Sequence, residues 1–177
     1  MSGNTTENGW KIRRAVSMDV DSLVTMRLRL QDHLERTNPL LLRMSTRGRV
    51  ALPDIYRQRM ADNSVYVAVA ETHATGELVG MVVGRSSVLE GFDPSHVGRI
   101  DDVWVEPGIR RQGICRELLG HLLGFFEEND VKIVDLNYTM GNAEAENAWP
   151  NLGFQPLLIV ASAKLQDLKS LLKAGDV

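Results

Sequence analysis

The chain has 177 residues, which is enough to bury one core of ordinary size and too few for two typical domains. Its 44% hydrophobic and 24% charged residues exclude a disordered or collagen-like chain, and a formal net charge of -3 gives no global attraction to nucleic acid. Its one cysteine, Cys115, excludes an internal disulfide framework and a cysteine-rich zinc site.

No apolar run approaches the roughly 20 residues of a membrane span, and the polar start lacks the apolar segment of a secretory signal. We therefore predict a cytoplasmic protein with no membrane or nucleic-acid partner. Residues 1–9 are expected to form a disordered tail, and residues 10–177 to form a single domain.

The first half of the chain predicts strands and helices in alternation. Residues 10–15 alternate as a half-buried strand, and Ser17 offers a helix cap with Asp19 in the first turn. The helix that follows has apolar residues at three- and four-residue steps, leaving polar residues largely for solvent: Arg27, Arg29, Gln31 and Asp32. Residues 37–62 are less regular, with a second helical pattern over 53–60. Residues 64–71 and 78–84 are apolar on both faces, which predicts a hairpin in a covered sheet.

The second half predicts a strand, a helix and a parallel strand. A third long strand over 96–105 leads into residues 110–115, where a strongly amphipathic helix begins that ends near Asn129. The strand over 131–137 then returns parallel, since a full helix is the usual connection between parallel strands. A helix over 142–152, a strand over 156–164 and a tail helix over 168–172 complete the prediction.

The turn from Arg110 to Cys115 lies between a predicted strand and a predicted helix, and we interpret it as an anion site. The first turn of a helix leaves backbone N–H groups without internal partners, at the positive end of the helix dipole. Gly113 permits close approach, and Arg110 and Arg111 add positive charge. A basic surface turn is the alternative, which the flanking strand and helix disfavour. Neither the P-loop nor the dinucleotide fingerprint is present.

These residues resemble motif A of the GCN5-related N-acetyltransferase (GNAT) superfamily, whose pyrophosphate loop reads Gln/Arg-x-x-Gly-x-Gly/Ala. Here the loop reads Arg110-x-x-Gly113-x-Cys115. The preceding residues 101–107 look like the family's acidic strand that ends in Val-x-Pro. Asn142-x-x-Ala145 followed by residues 152–154, Leu-Gly-Phe, resembles two later family motifs. The likeness is good over about residues 100–154 and weaker at the N-terminus, over 12–15 and Asp19.

The resemblance implies an α/β (α+β) fold with a mixed, mostly antiparallel twisted sheet, a central splayed parallel strand pair and flanking helices. It implies acetyl-CoA as the acetyl donor and an N-acetyltransferase activity, and it leaves a homodimer open. The residues expected to contact the donor are Val103, Trp104, Val105, Arg110, Arg111, Gln112, Gly113, Ile114, Cys115, Arg116, Asn142 and Trp149. For Asn142, a plain helix cap is an equal alternative.

Two positions depart from the family pattern. Cys115 stands where the family prefers Gly or Ala. A catalytic or redox role for its thiol has little support, although a helix N-terminus with nearby arginines would lower the pKa of that thiol. Trp149 stands where the family commonly has a Tyr that protonates the departing thiolate. Water, Tyr138 or the substrate ammonium could serve instead, or no acid is needed, because a thiol pKa of about 8.5 makes a tolerable leaving group.

The attacking amine must lose a proton, and the acidic pair Asp101 and Asp102 supplies the candidate catalytic residues. Asp101 is the preferred base. Strand alternation would place Asp101 with Val103 on one face and Asp102 with Trp104 on the other, so that only one acid faces the cleft. The alternative is an ion pair of either acid with Arg99. Asp135 is a weaker candidate, and no histidine has a metal-ligand spacing, so no metal site is expected.

The acceptor stays open. Acidic residues near the cleft favour a cationic small amine such as a polyamine or an aminosugar. The basic residues Arg43, Arg47 and Arg49 favour an acceptor with a carboxylate, such as an amino-acid-like amine, and a protein N-terminus or lysine is a further alternative. The missing Tyr and the altered loop are also consistent with a non-catalytic acyl-CoA-binding regulatory module.

Overall fold

The computed structural model describes residues 9–174, and its five strands form one sheet in the order β1-β2-β3-β4-β5. Neighbouring strands are antiparallel except β4 and β5, which are parallel. The predicted mixed, mostly antiparallel sheet is confirmed, but among residues 9–174 the parallel pair lies at one edge of the sheet and not at its centre. The strands are β1 (Trp10–Arg14), β2 (Val65–Thr72), β3 (Leu78–Val88), β4 (His96–Val105) and β5 (Ile133–Leu136).

Helices cover both faces of the sheet, as the doubly apolar strands β2 and β3 require. The α-helices of the described part are α1 (Val20–Thr37), α2 (Thr46–Ala61), α3 (Ile114–Glu128), α4 (Ala143–Asn151) and α5 (Leu165–Ala174). The core on one face is built around α3, with Leu118, Leu122 and Phe126 buried against the strands. The core on the other face is built around α1 and α2, with Leu23, Met26 and Tyr56. We call these the α3 face and the α1–α2 face.

Two glycines on the strands allow α3 to lie close to the sheet. A Cβ at Gly84 would lie 2.6 Å from Leu122 Cδ1, and one at Gly98 would lie 3.0 Å from the Phe126 ring. Both distances are too short for a side chain without movement of the helix. The small residues therefore determine how closely α3 packs against β3 and β4.

A β-bulge at Asp101 changes the course of β4. Val83 of β3 pairs with Asp102 and Gly84 pairs with Ile100, so Asp101 is the extra residue of β4. The ladder between β4 and β5 ends at the same point, with Ile100 opposite Leu136. We call this divergence of β4 and β5 the fork.

The bulge overturns the predicted alternation of the acidic pair. Asp101 contacts Arg85 of β3, whose side chain shares a face with Val83, and Asp102 contacts Arg27 of α1, so both carboxylates face α1 and α2. Val103 packs with the core on the α3 face. An extra residue in a strand breaks the period of two, and this is why Asp101 does not share a face with Val103.

The sequence also mispredicts the start of α2. This helix begins at Thr46, seven residues before the predicted start at residue 53, with the Ser45 hydroxyl oxygen accepting a hydrogen bond from Gly48 N–H at 3.1 Å. Pro53 lies inside the helix, whereas proline normally marks a helix start. At the start of the preceding helical segment, the predicted cap Ser17 makes no capping bond; Asp19 accepts from Val16 N–H instead.

The predicted strand over residues 156–164 does not form. This segment has no strand assignment, and its apolar residues are exposed, with Ile159 at 94%. Helix α5 follows over Leu165–Ala174, longer than the predicted 168–172. Of the predicted tail, residues 1–8 lie outside the described residues, while Gly9 accepts a hydrogen bond from His73 N–H. Within residues 9–174, no helix is both long and apolar enough to cross a membrane.

Candidate functional site

The outer edge of β4 beyond the bulge has no strand partner among the described residues. Glu106 N–H donates to Val79 O on β3, and directions alternate along a strand, so the N–H groups of Val103 and Val105 point away from β3 toward the fork. The Val105 carbonyl accepts from Arg110 Nε at 2.8 Å. Val103 N–H, Val103 C=O and Val105 N–H are therefore available to an extended ligand that carries amide groups.

The N-terminus of α3 lies at the end of this edge. Gly113 precedes the helix with φ +100°, a conformation that other residues rarely adopt, and no atom lies within 4 Å of the position of an added Cβ. The backbone N–H groups of residues 113–116 have no partner within the helix. The loop residues Arg111, Gln112 and Gly113 are exposed. The geometry fits a diphosphate, which accepts hydrogen bonds from several amides at the positive end of a helix.

Arg110 stabilises the loop that precedes α3 through contacts with β4 and α4. Its side chain donates to Val105 O and to Glu144 of α4, and its guanidinium lies 4.8 Å from the centre of the Trp104 ring. The Trp104 side chain is buried with the α1–α2 core, and its backbone N–H points toward β3, so neither is directed to the fork. Arg111 and Arg116, in contrast, are exposed and make no ion pair with any residue in 9–174. These two arginines carry the positive charge available to an anion here.

Three more of the predicted residues have defined surroundings. Asn142 Oδ1 accepts from Ala145 N–H at 3.3 Å, which confirms its helix-cap role. Trp149 packs edge-on against Phe154, with ring centres 5.6 Å apart, beside the α3-face core. Cys115 is half-buried, and burial raises the pKa of its thiol, so the expected lowering by the helix N-terminus is wrong.

The acidic pair lies in a cluster of arginines on the α1–α2 face. Asp102 is buried and contacts Arg59 Nη1 at 2.9 Å and Arg27 Nε at 3.2 Å. Asp101 lies 3.3 Å from Arg85 Nη2 and 3.6 Å from Arg99 Nε. Burial raises the pKa of the Asp101 carboxyl, and the nearby arginines oppose that rise. The Asp101 carboxylate is consequently a better proton acceptor than an ordinary aspartate.

Sequence reasoning missed several residues near the fork. Arg27 was expected to face solvent, yet it pairs with Asp102. The His33 ring packs edge-on against Trp104, and its Nε2 is buried with no hydrogen-bond partner among the described residues. Helical periodicity predicts which face of the helix a residue occupies. It cannot show that Arg27 of α1 pairs with Asp102, because Asp102 lies on a strand that is distant in the sequence.

Comparison with known proteins shows the family to which the sequence belongs. Residues 29–154 match the model of the acetyltransferase (GNAT) family. The chain belongs to the GNAT acetyltransferase family. GNAT members transfer acetyl groups to amines, so this chain is an N-acetyltransferase with acetyl-CoA as the donor. The sequence has no match among curated proteins.

Solved structures share the GNAT fold. A predicted acetyltransferase from Clostridium acetobutylicum, solved with acetyl-CoA, is 17% identical with a TM-score of 0.70, covering 89% of this chain and 97% of that one. An aminoglycoside acetyltransferase from an uncultured soil metagenomic sample, solved with sisomicin, is 17% identical with a TM-score of 0.66, covering 90% and 98%. A Trypanosoma brucei acetyltransferase is 18% identical with a TM-score of 0.61, covering 88% and 99%.

Proposed function

We propose that this enzyme acetylates the primary amine of a small molecule by direct attack on acetyl-CoA in a ternary complex, with the fork as its active site. The observation that supports this most is the bulge at Asp101. It ends the pairing of β4 with β5 and brings two carboxylates to the α1–α2 face beside the unpaired edge. A donor arm along the edge and an amine from the α1–α2 face would meet at this point.

The donor's diphosphate binds at the N-terminus of α3 in this proposal. The amides of Gly113, Ile114, Cys115 and Arg116 donate to it, and Arg111 adds charge. Gln112 is exposed beside them. The amide-bearing arm then follows the β4 edge, where Val103 offers both backbone groups and Val105 its N–H. Trp149 of α4 and Asn142, the N-cap of α4, border the side of the donor arm that faces away from β4.

Asp101 acts as the general base. An amine attacks only in its neutral form, so a group near the fork must take up a proton. A raised pKa makes the Asp101 carboxylate a stronger base than an ordinary aspartate. Asp102 pairs with Arg27 and Arg59 and holds these two arginines on the α1–α2 face beside Asp101. Acetyl-CoA supplies an activated acyl carbon, whose bond to sulfur breaks as its bond to the amine nitrogen forms.

No tyrosine is required as an acid in this proposal. Trp149 occupies the usual position and cannot donate a proton usefully. A thiolate whose parent pKa is about 8.5 leaves without full protonation near neutral pH. The proton that Asp101 takes from the amine is also available to the thiolate.

The experiment follows release of the coenzyme A thiol with acetyl-CoA and a panel of amines. Asp101→Asn should lower kcat/KM by about 100-fold or more, the typical contribution of general base catalysis. It should leave acetyl-CoA affinity unchanged. Asp54→Asn is the matched control, because Asp54 is exposed on α2 and pairs only with Arg57 in the described part of the chain.

The pH dependence gives a second readout. Wild-type kcat/KM should fall on the acid side with an apparent pKa above the ordinary aspartate value, because Asp101 must be ionised to accept a proton. Tight acetyl-CoA binding without turnover on any amine would favour the non-catalytic module. Turnover on peptide N-termini or lysines alone would favour a protein acetyltransferase.

A further inference from the structure

Two arginines lie side by side at the fork. Arg85 of β3 and Arg99 of β4 are register partners, and both contact Asp101 on the α1–α2 face. The Cβ atoms of directly opposite residues in an antiparallel pair are only about 4.5–5.5 Å apart, and like charges there destabilise the sheet. A local conflict of this kind is typical of a functional position.

The neighbouring acids hold these two arginines loosely. Their distances to Asp101 are 3.3 and 3.6 Å, and Arg99 Nη1 lies 3.5 Å from Asp135 Oδ2. In the amide orientation that satisfies both of its polar groups, Asn137 adds an oxygen 2.7 Å from Arg99 Nη2. A guanidinium carries five N–H donors, so both arginines retain donors for a further anion. The Arg85 side chain is 50% exposed and the Arg99 side chain 32%, so a ligand can reach them.

The charge of the cluster disfavours a purely cationic acceptor. Four arginines face three aspartates at the fork, a net charge of +1: Arg27, Arg59, Arg85 and Arg99 against Asp101, Asp102 and Asp135. A polyamine would add positive charge beside this surplus. An amine that also carries a carboxylate adds no net charge, and its carboxylate can pair with the surplus arginine charge.

We infer that the acceptor of the proposed transfer carries a carboxylate beside its primary amine, as an amino acid does, and that Arg85 and Arg99 bind this carboxylate. The inference rests on the proposed function. Two guanidinium groups offer paired N–H donors that match the two oxygens of a carboxylate. Asp101 contacts both arginines. When the substrate's carboxylate is bound to these arginines, its adjacent amine therefore lies next to Asp101, the proposed base.

This assigns the carboxylate to different arginines from those that the sequence suggested. Arg49 pairs with Asp32 of α1. Arg43, which precedes α2, and Arg47, in its first turn, are both exposed. None of the three has a described contact with Asp101 or Asp102. Arg85 stood out in no motif, because its significance depends on its partner across the sheet.

The experiment compares each amino acid with its own amide, which keeps the amine and removes the carboxylate's charge. Wild type should prefer the free acids by about tenfold or more in kcat/KM, the effect of one charge-assisted pair. Arg85→Gln should lower the preference for acids over amides in kcat/KM by about tenfold through a higher KM for the acids. Any change in kcat caused by the loss of this charge beside Asp101 should be the same for acids and amides. Arg85→Lys tests paired donation separately from charge and should recover only part of the preference.

Arg57→Gln is the matched control, because Arg57 is an exposed arginine on α2 that pairs with Asp54, and it should change neither KM. Acetyl-CoA affinity should equal wild type in every variant, which reports an intact fold. Equal rates on acids and amides, or a preference for polyamines, aminosugars or phosphate-bearing amines, would overturn the inference and leave the proposed transfer standing. Acetyl-CoA binding with no turnover on any amine would overturn both.

Discussion

Replacing Gly113 by alanine isolates the contribution of the α3 N-terminus to donor binding. Gly113 has φ +100°, and no atom lies within 4 Å of the position of the new Cβ, so the substitution adds backbone strain without a clash. A left-handed conformation costs a non-glycine residue about 1–2 kcal/mol. We expect the free variant to avoid this strained conformation, so that acetyl-CoA binding must restore it. The strain energy is then lost from the binding free energy, and the Kd for acetyl-CoA rises by about 5- to 30-fold.

Isothermal titration of acetyl-CoA measures this change. Gly120→Ala is the matched control: Gly120 is exposed on α3, and no atom lies within 4 Å of its added Cβ. In a helix interior, alanine should stabilise the fold by about 0.5–1 kcal/mol and leave the Kd unchanged. An unaltered Kd in Gly113→Ala, or the same shift in both variants, would refute the assignment of these amides to the donor.

Three further predictions concern packing, charge and the thiol. Gly84→Ala should destabilise the fold by about 1–3 kcal/mol in urea, because its Cβ would meet Leu122, whereas Gly124→Ala, with nothing within 4 Å of the added Cβ, should not. Asp19→Asn should lower the free energy of unfolding by about 2 kcal/mol near pH 7, because burial of Asp19 is outweighed by its hydrogen bonds from Arg13 and Val16 N–H, which lower the pKa of its carboxyl. The stability difference between wild type and variant should be complete above the pKa of Asp19 in the unfolded chain and should disappear as the pH falls through its pKa in the folded protein. A difference that grows toward low pH would contradict this prediction. Cys115 should react with iodoacetamide more slowly than a free thiol at pH 7, and Cys115→Ala should retain acetyl-CoA binding; rapid alkylation would contradict the burial that raises the pKa of this thiol.

The local elements near the fork could be predicted because their signals are local. The apolar stripe predicted α3, whose observed start at Ile114 lies within the turn 110–115 where the helix was expected to begin. Asn142 caps α4, which is one of the two roles expected for it. The strand β4 was predicted with its observed bounds, residues 96–105. Periodicity and capping depend on residues only a few positions apart, so one sequence suffices to find them.

The geometry of the fork could not be predicted in the same way. The bulge depends on how β4 pairs with β3, and no residue of β4 marks Asp101 as the extra one. Arg85 and Arg99 become neighbours only through that register. Residues 156–164 were predicted as a strand that the structure does not contain. Their apolar run is typical of a strand but remains exposed, because a strand needs a neighbouring strand to hydrogen-bond with, and the local sequence does not specify one.

The central claim is that the unpaired edge of β4 and the first amides of α3 together bind acetyl-CoA. Residue-resolved amide hydrogen exchange, with and without acetyl-CoA, tests it most directly. We predict slower exchange at Val103, Val105 and residues 113–116 on binding, with little change at Trp104, whose N–H faces β3. Saturating acetyl-CoA that leaves those six amides unprotected, or protects a different surface, would contradict the claim.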